Sequence, residues 1–209
     1  MDGSNENAAH LARGLEKCRE ITRHYGTSYY FATQFFPREI RMGIYAIYSF
    51  ARIPDEIVDD PNKGTKEETL AKLDEFRQSW LTAMSSGGSD DEVMNAIVWA
   101  FKKFGIPVSD GEAFLKSMFM DEEKFTYENY AELEEYMYGS AGVIGLMVTR
   151  VVGYSSEDAF YHAKQLGYAF QVTNFLRDIR QDYEELGRVY MPLDELSQFG
   201  LSADDIAKG

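Results

Sequence analysis

Two short acidic stretches carry the residue types best able to do chemistry. The first reads Arg52-Ile-Pro-Asp55-Glu56-Ile-Val-Asp59-Asp60. Asp55 and Asp59 are four apart, so on a helix they sit one turn apart on one face, with Arg52 beside them. The second reads Gln171-Val-Thr-Asn174-Phe-Leu-Arg177-Asp178-Ile-Arg-Gln-Asp182. Asn174, Asp178 and Asp182 fall at i, i+4 and i+8, and Gln171 extends that stripe by a further turn. The donors are hard oxygens, with no Cys or His among them, a set that suits Mg²⁺ rather than zinc or copper. Like charges at this spacing repel by about 0.2–0.5 kcal/mol, and a solvated helix face explains either stretch alone. Together they say more. Two such helices can face one another across a bundle cavity, where Mg²⁺ would bridge carboxylates to phosphate oxygens and make a diphosphate a leaving group. Arg52 and Arg177 would complete the clamp with forked donors.

A di-iron carboxylate bundle is the rival for such helices, and it needs Glu-x-x-His. The histidines are His10, His24 and His162, and none follows a Glu by three. A third segment, Tyr136-Met-Tyr138-Gly139-Ser-Ala-Gly142-Val-Ile-Gly145, places glycine every third residue. Each costs about 1 kcal/mol against Ala inside a helix. Two readings stay open: close helix–helix packing, or a smooth wall beside which a long apolar ligand lies. A fourth segment, Tyr25-Gly26-Thr27-Ser28-Tyr29-Tyr30-Phe31, mixes hydroxyls, glycine and aromatics just before an expected helix. Its amides and hydroxyls could hold phosphate oxygens, and its rings could stabilise a carbocation.

The elements that must position these residues read as helices. Leu11, Leu15, Cys18 and Ile21 recur at helical spacing after a polar leader, as do Ile40, Ile44, Ile47 and Ala51 between Pro37 and Asp60. Pro61-Asn62-Lys63-Gly64 breaks the pattern. Residues 67–84 carry Leu70, Leu73, Phe76, Trp80 and Met84 on one face. Further helices are expected over 93–104, 110–119, 130–152 and 158–185, and no alternating strand pair stands out. The expectation is one all-α domain over 1–209. With 209 residues and 44% hydrophobic content, the chain can bury a core and is not wholly disordered. Its 21 basic and 35 acidic residues leave a net charge of −14, which argues against a nucleic-acid partner and an anionic membrane surface. A single cysteine, Cys18, allows no internal disulfide, and Met1–Ala9 lacks the pattern of a signal peptide. No apolar run approaches the roughly 18 residues of a transmembrane helix. The expected compartment is the cytoplasm.

Taken in order, these motifs resemble the squalene/phytoene synthase family. Arg52-x-x-Asp55-Glu-x-x-Asp59, Tyr136-x-Tyr-Gly-x-Ala-Gly-x-x-Gly145 and Gln171-x-x-Asn174-x-x-Arg177-Asp178-x-x-x-Asp182 carry the resemblance. Tyr45-Ala-Ile-Tyr48-Ser-Phe-Ala-Arg52 and Gly187-Arg188-Val-Tyr190-Met-Pro192 support it, so it runs from about Tyr25 to Leu201. It implies an all-α isoprenoid-synthase bundle around a central cavity, and Mg²⁺-dependent head-to-head joining of two C15 or C20 prenyl diphosphates. It implies Asp55, Asp59, Asn174 and Asp178 as Mg²⁺ ligands, with Asp182 supporting them and Tyr136 close to the reacting carbons. It implies Tyr25, Gly26, Thr27, Ser28, Tyr48, Arg52, Gln171, Arg177 and Arg188 as substrate contacts, and leaves room for peripheral membrane contact during product release. Two departures matter, beside a smaller oddity at Pro54. Many members have His-Ser-Lys-Ser where this chain has Tyr25-Gly-Thr-Ser28. Members continue through further helices beyond the position of Gly209, where Ser202 reads as the N-cap of a helix start, so the bundle is expected to lack its C-terminal helices. Pro54 either kinks a helix before Asp55 or starts a new one. The alternative function is a non-catalytic assembly or scaffold protein of the same fold, and a head-to-tail synthase or terpene cyclase fits the motifs less well.

Overall fold

The apolar spacing becomes helix throughout. The computed structural model describes residues 2–60, 62 and 64–206. In chain order these form α1 (Asp2–Tyr25), α2 (Thr27–Thr33), α3 (Arg38–Asp59), α4 (Lys66–Ser86), α5 (Glu92–Lys103), α6 (Val108–Glu123) and α7 (Tyr130–Met137). A π-helical turn over Tyr138–Gly142 leads into α8 (Val143–Val152), followed by α9 (Asp158–Leu186), α10 (Leu193–Gln198) and α11 (Ala203–Ile206). The described residues contain no strand, only an isolated parallel bridge between Thr126 and Val189. None of their helices is long and apolar enough to cross a membrane. The chain divides into two units, Met1–Ser109 with Met147–Ser155, and Asp110–Leu146 with Ser156–Gly209.

In the first unit the expected face of α4 is the buried one. Leu73 and Trp80 are fully buried, while Leu70, Phe76 and Met84 are half-buried. Trp80, Phe50 of α3 and Phe101 of α5 meet with ring centroids 5.0–5.3 Å apart, tilted or edge to face, which aromatic quadrupoles favour. A capping box between Thr65 and Glu68 starts α4, and Gly87 at φ 95° ends it. The break expected at 61–64 lies between α3 and α4, with Pro61 and Lys63 outside the described residues. Pro54 sits buried inside α3, which continues to Asp59 as one helix, so no new helix starts there. Two segments differ from expectation. The polar leader is already helical from Asp2, and Thr27–Thr33 forms the short helix α2 where only a pre-helical segment was expected.

α1 and α5 approach closely at Gly14. A Cβ there would stand 1.9 Å from the backbone oxygen of Glu92. The Glu92 carboxylate is clamped from α1 by Arg13 and by Lys17, the latter at 2.9 Å. Hydrogen bonds from Lys17 and Arg13 pull the Glu92 carboxyl down to about 2.

In the second unit the glycine stripe resolves into packing. A Cβ on Gly139 would meet the Ala113 oxygen of α6 at 2.5 Å, and one on Gly142 would meet the Tyr168 ring of α9 at 2.9 Å. One on Gly145 would meet the Ala163 oxygen of α9 at 2.5 Å. Of the two readings, close helix packing is what these glycines serve. The helix expected over 130–152 is interrupted by the π turn at its glycine-rich middle. α9 ends as expected at Gly187, at φ 67°, where the Gly187 and Arg188 N–H groups return to Tyr183 and Asp182 carbonyls. Ser202 does precede a helix, but its N–H and hydroxyl both donate to the Asp205 carboxylate, at 3.0 and 2.6 Å. The carboxylate reaching back therefore makes the cap.

Gly14→Ala should lower stability by about 1–3 kcal/mol in denaturant unfolding, because backbone rather than a flexible side chain blocks the added methyl. Glu92→Gln should lower Tm at neutral pH. A depressed carboxyl stabilises the fold above its unfolded value of 4.5, and that contribution is lost as pH falls towards 2. The Tm gap between wild type and Glu92→Gln should thus close across that window, and should shrink with added salt.

Candidate functional site

The first acidic stretch lies on the last two turns of α3, in the first unit. The helix puts Arg52, Asp55, Glu56 and Asp59 on adjacent positions of neighbouring turns, and the Arg52 guanidinium spans two carboxylates. It donates to Asp55 at 2.6 Å and pairs with Glu56. Its Nε is buried with no hydrogen-bond partner among the described residues. The same guanidinium lies over the Tyr25 ring, 4.6 Å from its centroid, a cation–π contact. Tyr48, one turn before Arg52, packs against Gly26, where any Cβ would stand 2.8 Å from the phenol. Gly26 is thus required by that close approach. Burial raises the Tyr48 hydroxyl above the usual phenol range. The structure therefore brings Tyr25, Gly26, Tyr48, Arg52 and Asp55 together, with Thr27 and Ser28 exposed at the start of α2. Glu56 is a member of this group that spacing alone did not single out.

The second acidic stretch lies on α9, in the second unit. Gln171, Asn174, Asp178 and Asp182 are all half-buried on one stripe, as their spacing requires. Arg177 forks onto its neighbour Asp178, with Nε to Oδ1 at 2.7 Å and the second N–H on Oδ2. That fork holds the Asp178 carboxyl below its usual range. Each stripe thus repeats one device: a carboxylate with an arginine on it.

Tyr136 and Arg188 occupy a different place in the second unit. Tyr136 is buried and donates to the Asp121 carboxylate of α6 at 3.1 Å, and Tyr190 donates to the other oxygen at 3.2 Å. Arg188, only 5% exposed, donates to the Asp121 backbone oxygen at 2.9 Å and lies 3.9 Å from its carboxylate. Phe175 of α9 stacks on Tyr190 with centroids 4.2 Å apart, and Tyr127 packs on both tyrosines. Burial first, and the Asp121 charge second, push the Tyr136 and Tyr190 hydroxyls well above the usual phenol range. Arg188 therefore sits against Asp121 in a buried cluster, away from the exposed fork of Arg177. Asp121 and Tyr127 were not found by sequence reasoning. The only hint was an acidic residue following the apolar run Met118-Phe-Met120.

No three His, Cys, Asp or Glu side chains among the described residues converge as a ready-made metal cage. Two carboxylates on one helix fit a cation that takes its remaining ligands from water and substrate oxygens. That is the habit of Mg²⁺, and the all-oxygen donors suit it.

Comparison with known proteins follows the same residues. Residues 22–209 match the family described as squalene/phytoene synthase. Phytoene synthase 1 of Zea mays is 35% identical over 205 residues, covering 95% of this chain and 49% of that protein. The 15-cis-phytoene synthase of Synechocystis sp. is 32% identical, covering 99% of this chain and 64% of its own. The chain spans about half the length of the maize relatives it matches. Among solved structures, a dehydrosqualene synthase in complex with ligand superposes with a TM-score of 0.85 at 27% identity, over 96% of this chain and 69% of that one. Squalene synthase HpnC from Alicyclobacillus acidocaldarius gives a TM-score of 0.85 at 26% identity, over 96% and 74%. The fold is the all-α isoprenoid-synthase fold of those enzymes. With its motifs lying in order inside one match across most of its length, the chain belongs to the squalene/phytoene synthase family.

Proposed function

We propose that this chain is a prenyltransferase that joins two prenyl diphosphates head to head and releases diphosphate. The observation that carries the reading is the repeated pairing of a carboxylate stripe with a forked arginine, on α3 and on α9, inside the family match. Asp55, Asp59, Asn174 and Asp178 are the oxygens that would hold Mg²⁺, with Asp182 behind them. Bound there, Mg²⁺ supplies positive charge that stabilises the departing diphosphate.

The chain's own groups do the rest. Arg52 and Arg177 have forks that match phosphate oxygens as well as carboxylates. Gln171, Tyr48 and the Tyr25–Ser28 segment add neutral donors. As the C–O bond breaks, diphosphate leaves with the electron pair and an allylic cation remains. The double bond of the second substrate supplies the pair for the new C–C bond, and loss of a proton closes a cyclopropyl diphosphate. Its own ionisation releases the second diphosphate, and rearrangement followed by loss of a proton gives the head-to-head product. The protein's part is fixed dipoles and exclusion of water rather than covalent participation.

The test uses the full chain with Mg²⁺ and C15 or C20 prenyl diphosphates, following pyrophosphate release and analysing the product. Turnover is expected, it should vanish on chelation, and Asp55→Ala or Asp178→Ala should each cut it by ~100-fold or more. A folded chain that stays silent with every chain length would sink the reading.

A further inference from the structure

The buried cluster around Asp121 has a charge arrangement that packing alone does not require. Asp121 is 5% exposed, yet both carboxylate oxygens accept phenolic protons, one from Tyr136 at 3.1 Å and one from Tyr190 at 3.2 Å. Arg188 balances it from one side, through the backbone oxygen at 2.9 Å and the carboxylate at 3.9 Å. The two phenol rings lie 5.5 Å apart and 25° from parallel. Phe175 stacks beyond Tyr190, on the helix that carries the second acidic stripe. A hydrocarbon core of the same shape would need none of these polar groups, and burying a carboxylate is costly unless it is fully bonded.

We propose that Asp121 is a positioning residue that acts through Tyr136 and Tyr190. Its carboxylate fixes both hydroxyls as donors and draws their protons towards itself, which enriches the ring faces in electron density. An electron-rich ring face attracts a cation, and the attraction is worth most where water is excluded. The ligand class served is therefore a delocalised carbocation with no hydrogen-bonding group of its own. This role rests on the head-to-head reading, in which Tyr136 lies close to the reacting carbons. Arg188 serves the same device from behind, through its bond to the Asp121 backbone oxygen and its charge 3.9 Å from the carboxylate.

The test has a spectroscopic and a kinetic arm, both on the full chain. With tyrosines labelled at ¹³Cζ, and Tyr136 and Tyr190 assigned by their Phe variants, Asp121→Asn should shift both resonances at neutral pH. Unmoved resonances overturn the proposal. In turnover, Asp121→Asn should lower kcat by about tenfold or more with KM changed by less than about threefold. In a chain already carrying Tyr136→Phe and Tyr190→Phe, it should cost nothing further. A full additional loss in that background, or a rise in KM alone, overturns the proposal. If Asp121→Asn does not fold, Tyr136→Phe answers instead: kcat should fall at constant KM while the Tyr190 resonance persists, and an unchanged kcat overturns the proposal. An inert wild type overturns the head-to-head reading and this role together, whereas an active wild type with an indifferent Asp121→Asn overturns this role alone.

Discussion

Both units depend on backbones approaching to a distance that a single methyl would prevent. At Gly14 the obstacle is the Glu92 carbonyl of α5, at Gly139 the Ala113 carbonyl of α6, and at Gly145 the Ala163 carbonyl of α9. Gly167 of α9 returns the contact, with the Ala141 oxygen 2.6 Å from where its Cβ would be. Carbonyls at such contacts belong to helices and cannot swing aside as a long side chain can. The packing of α9 and of the segment that follows Tyr136 is thereby set by main-chain contacts. This explains why glycine persists inside helices where it is intrinsically unfavourable.

The charge distribution follows a second constraint. A chain with a net charge of −14 gains nothing electrostatically by drawing in an anion. Its acidic stripes are balanced locally, because each first carboxylate carries a guanidinium at hydrogen-bond distance. Those guanidiniums remain partly exposed, at 27% for Arg52 and 69% for Arg177. Each site thus presents a partner of either sign. Asp121 is the buried counterpart, where the balancing groups are two phenols and one arginine and the carboxylate is almost wholly removed from solvent.

What was legible in the sequence was whatever repeats within one helix. Leu73 and Trp80 fall on the buried face of α4 because helical period alone decides it, and the Asn174–Asp182 stripe follows from a spacing of four. The stripe at Gly139–Gly145 was legible as an anomaly but not as a cause, since only the neighbouring carbonyls distinguish packing from a ligand wall. α2 was hidden by Gly26 and by a run of hydroxyl and aromatic residues with weak helix propensity. Its order comes from packing, with Tyr30 stacked on Tyr45. Asp121 was illegible for a different reason. Its hydrogen-bond partners stand 15 and 69 residues away, and no local pattern encodes such a meeting.

The π turn over Tyr138–Gly142 has a consequence for register. A π turn holds one residue more than the α turn it replaces, so the residues before and after it are offset by about 100° from straight α-helical phase. Tyr136 reaches Asp121 on α6 while Gly145 lies against Ala163 on α9. A straight α-helix of this sequence would turn one of the two away from its neighbour. Removing a single residue from the turn would restore regular α geometry and leave the residues on either side in their present phase. Chain length at this one point is therefore a form of indexing: a relative one residue shorter here, with a plain α turn, would keep the same flanking side chains in the same contacts.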